Sequence, residues 1–339
     1  MKHYKLLPLV LLTLLSCSKA KDKEVIIPAS KADFTFTDGI DHFELKNNST
    51  AINGDVLTYK WASMCDTIKI INPEAYFASF NLPELSDNKQ LKIRLTINNG
   101  HVSDSVTKDI TLSKTTLERR YGLGIDLQDG HSNNVNYNWY YDQMNTGAYS
   151  FENCGPTTVT MAIKWVNPDF TKTPEDARNT YLSSGGWWYT NDIIAYLNQY
   201  SVSNFTIKIA HIDSIQRQIH LGNIAILCLD MYYVSNPMND KWHVDKFYLT
   251  NYKGWGHFIV VKGYKVVDNK IFYEAYDPNS YGLKYTNDSI KGINRYYRSA
   301  DLDSAVTKWW SYAIIVSKSK LKGLNYGVDV SKIIHKSGL

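Results

Sequence analysis

The sequence predicts two domains, an all-β domain followed by an α+β domain, and three patterns support this division. Residues 91–97 alternate apolar and polar side chains, which is the period of a half-buried strand. Residues 159–166 instead repeat apolar side chains at helical spacing. Two apolar strand patterns follow within residues 257–276. A chain of 339 residues is long enough to hold both domains.

Composition narrows the classes of function. A hydrophobic content of 44% with 21% charged residues is typical of a globular protein. The net charge of +4 is small and no basic stripe is present, so nucleic acid is not an expected partner. The 25 tyrosines and 9 tryptophans suit clefts that hold peptides or glycans, and they suit a packed core equally well.

The N-terminus has the pattern of an export signal. Lys2 and Lys5 precede an apolar run from Leu6 to Leu15, and this run is shorter than the roughly 20 residues that span a bilayer. The sequence "LLSC" at its end resembles a bacterial lipobox, which implies that Cys17 is diacylated and begins the mature chain. We therefore expect a signal peptide over 1–17 and a tether over 18–30. A plain signal peptide with an incidental cysteine is the alternative.

A lipid anchor would place the protein in the cell envelope. Two or more acyl chains hold a protein stably on a membrane, so the membrane is an expected partner. Ser18 gives no sign of inner-membrane retention, which favours the outer membrane, facing either the periplasm or the surface. The sequence does not predict an oligomeric state.

The remaining cysteines are Cys65, Cys154 and Cys228, an odd number, so at least one thiol stays free. Cys228 lies in the apolar run "NIAILCLDMYYV", which is typical of a buried strand, and we expect a structural role for it and for Cys65. No spacing of cysteine with histidine resembles a zinc site. We expect neither a metal nor a cofactor.

Residues 31–113 form the predicted all-β domain. "NNG" supplies the turn of a hairpin that starts with the strand over 91–97, and Trp61 in "LTYKW" is placed to fill the space between two sheets. These features resemble PKD and related immunoglobulin-like sandwiches, which implies a role in spacing or adhesion. Residues 114–136 have no steady period and three glycines, so they are interpreted as a linker before the second domain at 137–339.

Cys154 is the candidate nucleophile. It stands just before the predicted helix, with Pro156 suited to the first turn, so its sulfur is expected at a helix N-terminus, where N–H groups stabilise a thiolate. Its neighbours are polar, which favours the edge of a cleft over an apolar core. The alternative is a packed thiol.

His257 is the candidate base, at the head of the strand "HFIVV". A second apolar strand ends at Asp277, and an antiparallel hairpin would bring the two side chains to one end of the sheet, where Asp277 could orient the imidazole. Asn279 is the second choice for the orienting group. His243, in the aromatic loop before His257, is a rival base without a strand to fix it.

Gln143 is the candidate oxyanion donor, through its side-chain amide beside the Cys154 backbone N–H. A surface glutamine is the alternative reading of this residue.

The blocks "NCGPTTVTMAIKW", "GHFIVVKGY" and "YDPNSYG" resemble papain-like cysteine peptidases of the bacteriocin-processing type. The resemblance implies an α+β papain-like fold, with Cys154 as nucleophile, His257 as base and acid, Asp277 as orienting group and Gln143 as oxyanion donor. Gln143 lies farther from the cysteine than is usual in that family. The resemblance includes no transporter segment, so cleavage of double-glycine leaders is not implied.

These features predict an exported, lipid-anchored cysteine peptidase that hydrolyses peptide or isopeptide bonds of a peptide or protein substrate. Trp187, Trp188 and the aromatic loop before His257 would wall its cleft, or would only pack the domain. The same chemistry serves an amidase or a transglutaminase-type acyl transferase acting on cell-wall peptides. A catalytically inactive surface binding or adhesion lipoprotein is the alternative from another class.

Overall fold

The computed structural model describes residues 29–52, 54–236 and 241–319. The signal peptide, Cys17 and all but the last two residues of the predicted tether lie outside these ranges. Contacts between residues divide the described chain into two compact units, one of residues 29–36, 44–80 and 91–110 and the other of residues 37–43, 81–90 and 111–319. In none of the described ranges is a helix both long and apolar enough to cross a membrane.

Two three-stranded sheets occupy the N-terminal part of the chain. Their strands are β1 (Phe34–Asp38), β2 (His42–Asn47), β3 (Thr58–Ser63), β4 (Phe77–Asn81), β5 (Lys89–Asn98) and β6 (Ser103–Leu112). One sheet has the order β1-β2-β4 and the other the order β3-β5-β6. The alternation predicted for β5 is confirmed, because its four apolar residues from Leu91 to Ile97 are buried. Gly100, at φ +91°, supplies the left-handed conformation that the turn after β5 requires.

Trp61 links these two sheets. It is 3% exposed, and its ring meets the ring of Phe34 edge-on with centroids 5.2 Å apart. Its indole N–H donates to the Ala75 carbonyl at 2.9 Å. Since Phe34 belongs to β1 and Trp61 to β3, the tryptophan packs between the sheets, as the sequence indicates. Assignment to the immunoglobulin-like fold and the domain boundaries stay predictions.

The second unit is a mixed α/β structure around a seven-stranded antiparallel sheet. Its strands are β7 (Leu127–Ser132), β8 (Ser203–Lys208), β9 (Ile224–Asp230), β10 (Gly256–Val267), β11 (Lys270–Tyr276), β12 (Arg295–Arg298) and β13 (Tyr312–Ser317). Its helices are α1 (Leu117–Arg120), α2 (Cys154–Val166), α3 (Pro174–Thr180), α4 (Thr190–Gln199), α5 (Ser214–His220) and α6 (Ser299–Thr307). The strand order is β12-β11-β10-β9-β13-β8, with β7 also paired to β10.

Segment 114–136, predicted as a linker, is instead built into this unit. It contains α1 and β7, and β7 pairs with the second half of β10 while β9 pairs with the first half. Most of β7 is exposed, so its sequence "LQDGHS" needs no buried apolar residues. Although the backbone of β7 pairs with β10, its side chains therefore show no alternation of apolar and polar residues that would predict a strand.

Helices cover both faces of the central strands. α2 and α4 pack on one face, where their buried side chains join Phe258 and Val260 of β10 in one hydrophobic cluster. α5 and α6 contribute to the cluster on the other face, which contains Ile259 and Val261. Burial on both faces explains why β9 and β10 read as continuous apolar runs. The two polar ends of this sheet are then the places where functional side chains can emerge.

Candidate active site

Cys154 is the first residue of α2, as the sequence predicts, and is 5% exposed. The preceding Asn153 makes no side-chain cap, and its amide instead donates to the carbonyl of Thr146 at 3.1 Å and to its hydroxyl at 2.9 Å. A Cβ on Gly155 would come within 2.6 Å of the Trp188 Cβ, so glycine allows the close packing there. The first-turn N–H groups of a helix have no carbonyl partner within it, and they stabilise negative charge at the Cys154 position.

His257 stands at the start of β10 and is 3% exposed. The predicted hairpin is present, with Val267 of β10 paired to Lys270 of β11. It places Asp277 directly after the end of β11, and Nε2 of His257 lies 2.7 Å from Oδ1 of Asp277. The structure therefore brings the two side chains together, as expected from the two strand patterns.

Asp277 is completely buried and firmly held. Its carboxylate accepts a hydrogen bond from the Asn279 backbone N–H at 2.9 Å and another from the Tyr297 hydroxyl. Its backbone carbonyl accepts from the Tyr140 hydroxyl at 3.0 Å. Gly292 makes this possible, since a Cβ there would lie 2.1 Å from the Tyr140 oxygen and 2.2 Å from the Asp277 carbonyl oxygen.

Asn279, the second choice for the orienting group, has a different role. Its side-chain oxygen accepts the Tyr281 backbone N–H at 3.1 Å. It supports Asp277 only through its own backbone N–H. Asp277 is thus the residue that contacts the imidazole.

Electrostatics favour the charged form of His257. Burial acts to lower its pKa, but Asp277 and then Cys154 outweigh burial, so the pKa of His257 lies above its ordinary value of 6.5. Cys154 therefore interacts with the imidazole, and this interaction favours the protonated ring. Because Nε2 is taken by Asp277, Nδ1 is the nitrogen that remains for the thiol. This arrangement suits a thiolate–imidazolium pair.

Gln143 lies beside the turn that leads to Cys154. It is 2% exposed, and its backbone N–H donates to the Pro278 carbonyl at 2.8 Å. Its side-chain nitrogen donates to the Ser150 carbonyl at 3.1 Å, while its side-chain oxygen is buried without a hydrogen-bond partner. The same nitrogen also makes a longer contact, of 3.5 Å, with the Phe151 carbonyl. The structure thus places Gln143 between the residues after Asp277 and those before Cys154, with its side-chain amide directed at the latter.

His243, the rival base, is held in a structural stack. Its ring lies between those of Tyr121 and Tyr285, with centroid separations of 3.8 and 3.9 Å. Nδ1 lies 3.1 Å from the Asn294 carbonyl, which fits a neutral ring that donates through this nitrogen. Burial lowers the pKa of His243 to about 4. The ring is therefore neutral near pH 7, and no carboxylate among the described residues forms a hydrogen bond with it.

The structure adds residues that sequence reasoning missed. Tyr297 donates to Asp277, and the hydroxyl of Tyr248 is buried without a hydrogen-bond partner and acts electrostatically on Asp277 and Cys154. Arg178 donates from Nε to the side-chain oxygen of Asn153. Each of these residues lies at least twenty positions from its partner, and no local pattern marks it.

The aromatic residues of the predicted cleft divide between two roles. Trp188 is 4% exposed and packs on Tyr181 and Tyr196, which makes it part of the core. Trp187 is 55% exposed, and Tyr252 in the loop before β10 is 60% exposed. Packing thus accounts for Trp188, while the exposed Trp187 and Tyr252 stay candidates for the wall of a cleft.

The described cysteines, Cys65, Cys154 and Cys228, form no disulfide bond with one another. Cys228 is buried in β9, where burial raises the pKa of its thiol, which fits the expected structural role. In the described ranges no three His, Cys, Asp or Glu side chains are grouped so that they could hold a metal ion.

No protein-family model matches the sequence, and no curated protein matches it. Among solved structures, a proposed C39-like peptidase from Bacillus anthracis gives a TM-score of 0.39 at 15% identity, over 57% of this chain and 100% of that chain. A nucleoside hydrolase-related hypothetical protein from Saccharophagus degradans gives a TM-score of 0.19 at 21% identity, over 22% of this chain and 20% of that chain. With TM-scores this low, neither likeness indicates a function for this chain. The geometry of Cys154, His257 and Asp277 is the basis of the function proposed for it.

Proposed function

We propose that this protein is a cysteine peptidase in which Cys154 is the nucleophile, His257 the general base and acid, and Asp277 the orienting group. The observation that carries the proposal is the buried His257–Asp277 hydrogen bond of 2.7 Å, together with the effect of Cys154, at the start of α2, in raising the pKa of the same imidazole. Three residues far apart in the chain converge in the order nucleophile, base and orienting group.

The mechanism is acyl transfer through a thioester. The Cys154 thiolate attacks the carbonyl carbon of the substrate, and the Cys154 backbone N–H stabilises the resulting oxyanion together with the side-chain amide of Gln143. Protonated His257 donates its Nδ1 proton to the departing amine, which breaks the carbon–nitrogen bond and leaves an acyl-enzyme. His257 then accepts a proton from water as the water attacks the thioester, and breakage of the carbon–sulfur bond releases the acid product and restores the Cys154 thiolate beside the protonated imidazole.

Asp277 has a supporting part in each step. Its hydrogen bond to Nε2 fixes the ring with Nδ1 towards the thiol and stabilises the imidazolium. The Tyr297 hydroxyl and the Asn279 N–H hold the carboxylate in turn. Because all three groups are buried, little reorganisation accompanies the proton transfers.

The proposal places this activity in the cell envelope. The lipobox-like "LLSC" at Leu14–Cys17 supports a lipid anchor on the outer membrane, and the N-terminal sheets support a spacer domain of the immunoglobulin-like type. An anchored peptidase with a spacer would act on peptides or proteins near the membrane surface.

The test is hydrolysis of an unbiased library of synthetic peptides by the purified full chain, read by mass spectrometry. Wild type is expected to cleave a subset of the library, Cys154→Ser to cleave none of it, and Cys65→Ser to match wild type. Addition of a primary amine separates hydrolysis from acyl transfer, because a transferase gives amide-linked products. Absence of any product in wild type, or equal cleavage by Cys154→Ser, would overturn the proposal and favour a binding protein.

A further inference from the structure

Arg178 is a buried cation that forms hydrogen bonds with the two residues before Cys154. The side chain comes from α3 and is 2% exposed. Its Nε–H donates to the side-chain oxygen of Asn153 at 2.7 Å, and its two terminal nitrogens donate to the carbonyls of Glu152 at 3.2 Å and Leu182 at 3.3 Å. Two of these three acceptors belong to the two residues that precede Cys154. The guanidinium thus fixes the turn from which the thiol emerges.

All three acceptors are neutral, which is unusual for a buried charge. Lys262 of β10, a fully buried lysine, by contrast faces the carboxylate of Glu274. Among the residues that the structure describes, Arg178 forms no ion pair. An unpaired charge is costly to bury, and a nearby anion lowers that cost.

The anionic groups around Arg178 identify its partner. Burial lowers the pKa of Arg178, and the groups that raise it are, in decreasing order, Glu152, Cys154, Asp192 and Tyr149. The Glu152 carboxylate already accepts the Gly186 N–H at 2.6 Å, and this side chain is only partly buried. Cys154 is therefore the buried group in this set whose negative charge the guanidinium would offset.

Cys154 is bordered by ionisable groups from four elements. These are Arg178 from α3, His257 from β10, Cys228 from β9 and Tyr248 from the loop before β10. Burial raises the pKa of both Cys228 and Tyr248, so they stay neutral near pH 7. The two cations of this set that interact electrostatically with Cys154 are His257 and Arg178.

We propose that Arg178 is a positioning residue for Cys154, which fixes the Glu152–Asn153 turn through its fork of hydrogen bonds and stabilises the thiolate through its charge. The proposal rests on the proposed function, since it assumes that Cys154 acts as a thiolate. Arg178 on α3 would then be a second cation that stabilises the thiolate, in addition to the imidazolium of His257 on β10.

The test is the iodoacetamide labelling rate of Cys154 as a function of pH, followed by mass spectrometry of the peptide that contains it. Arg178→Gln removes the charge, and we expect the pH midpoint of labelling to rise by about one unit, because a nearby opposite charge favours the thiolate. Arg178→Lys keeps the charge and loses the fork, so we expect a midpoint near that of wild type and a lower plateau rate.

Arg295 provides the matched control. It is also completely buried and donates to neutral acceptors, the carbonyls of Trp242 at 3.0 Å and Val244 at 2.9 Å. Arg295→Gln should lower the melting temperature and leave the labelling midpoint at the wild-type value. This variant shows what loss of a buried structural arginine does on its own.

The outcomes separate the two proposals. A wild-type midpoint at the ordinary thiol value of about 8.5 would contradict the proposed function itself. A low wild-type midpoint that stays the same in Arg178→Gln would contradict only the role of Arg178. If Arg178→Gln does not fold, Arg178→Lys decides, because a midpoint shifted to the ordinary thiol value, or an unchanged plateau rate, overturns the role.

Discussion

His257 and His243 are buried to a similar degree, 3% and 7% exposed, yet they have opposite electrostatic states. Burial acts to lower the pKa of both rings, because it penalises the charged form. His257 has Asp277 at 2.7 Å and the Cys154 thiol beside it, and its pKa is raised. His243 lies between two tyrosine rings, and its pKa falls to about 4.

The neighbouring anion, and not the depth of burial, sets the charge state of each ring. A histidine stacked between aromatic rings stays neutral and packs. A histidine beside a carboxylate and a thiol is held in its charged form, which the proposed function requires. Changing one histidine or its partners, with the other histidine as the reference, therefore tests this distinction.

The largest effect is expected from loss of His257. His257→Gln should lower kcat/KM for a peptide found in the library by about 10²- to 10⁴-fold, because both proton transfers lose their carrier. His243→Phe keeps an aromatic ring in the stack and should retain kcat/KM within a few-fold of wild type while losing some stability. Similar losses of activity in both variants would contradict the distinction between the two histidines.

Asp277→Asn should have the next largest effect. It removes the charge that favours the imidazolium, so we expect kcat/KM to fall by about 10-fold or more, though less than in His257→Gln. The alkaline limb of the pH–kcat/KM profile should also move to lower pH, since the pKa of His257 would fall. Asn279→Ala is the control, because its backbone N–H to Asp277 is kept; a larger loss there would favour Asn279 as the orienting group.

The two histidines should also give stability opposite dependences on pH. The pKa of His257 is raised on folding, so its contribution is present below about 6.5 and is lost as the pH rises through the folded value. The pKa of His243 is lowered to about 4, so its contribution is present above about 6.5 and is lost as the pH falls towards 4, by about 3 kcal/mol in all.

Urea unfolding at pH 5, 7 and 9 measures this contrast. His257→Gln should flatten the change in the free energy of unfolding between pH 7 and 9, and His243→Phe should flatten the change between pH 5 and 7. Two variants that keep the wild-type dependence on pH would show that neither ring has the shifted pKa.

The smallest effect is expected at the tyrosines near Asp277. Tyr297→Phe removes a donor from a buried carboxylate and should cost about 1–3 kcal/mol of stability with a few-fold loss of kcat/KM. Tyr248→Phe removes a buried hydroxyl that has no hydrogen-bond partner, so stability should be unchanged or slightly higher. Thermal melts of the two variants compare them directly, and a larger loss in Tyr248→Phe would contradict this assignment.

Local periodicity predicted the elements that carry the candidate site. The helical spacing after Cys154 corresponds to α2, and the paired apolar strands correspond to the β10–β11 hairpin that brings His257 to Asp277. Each of these features belongs to one helix or one hairpin, and the periodicity of apolar residues along the chain is enough to predict such an element. The alternating strand β5 and the buried Trp61 were predictable for the same reason.

Long-range partners were not predictable in this way. β7 pairs with β10 more than 130 positions later through its backbone, and its exposed side chains show no alternation. Arg178 and Tyr297 reach Asn153 and Asp277 through side chains that nothing nearby in the sequence marks. Such contacts arise from packing of whole elements, so only the folded chain reveals them.

The pairing of a Cys154 thiolate with protonated His257 is best tested by the pH dependence of iodoacetamide labelling at Cys154, in wild type and in His257→Gln. We expect Cys154 of the wild type to be labelled rapidly well below the ordinary thiol midpoint of about 8.5, and His257→Gln to slow labelling at pH 6 by about 10²-fold. An ordinary thiol curve that is the same in both proteins would contradict a nucleophile paired with His257.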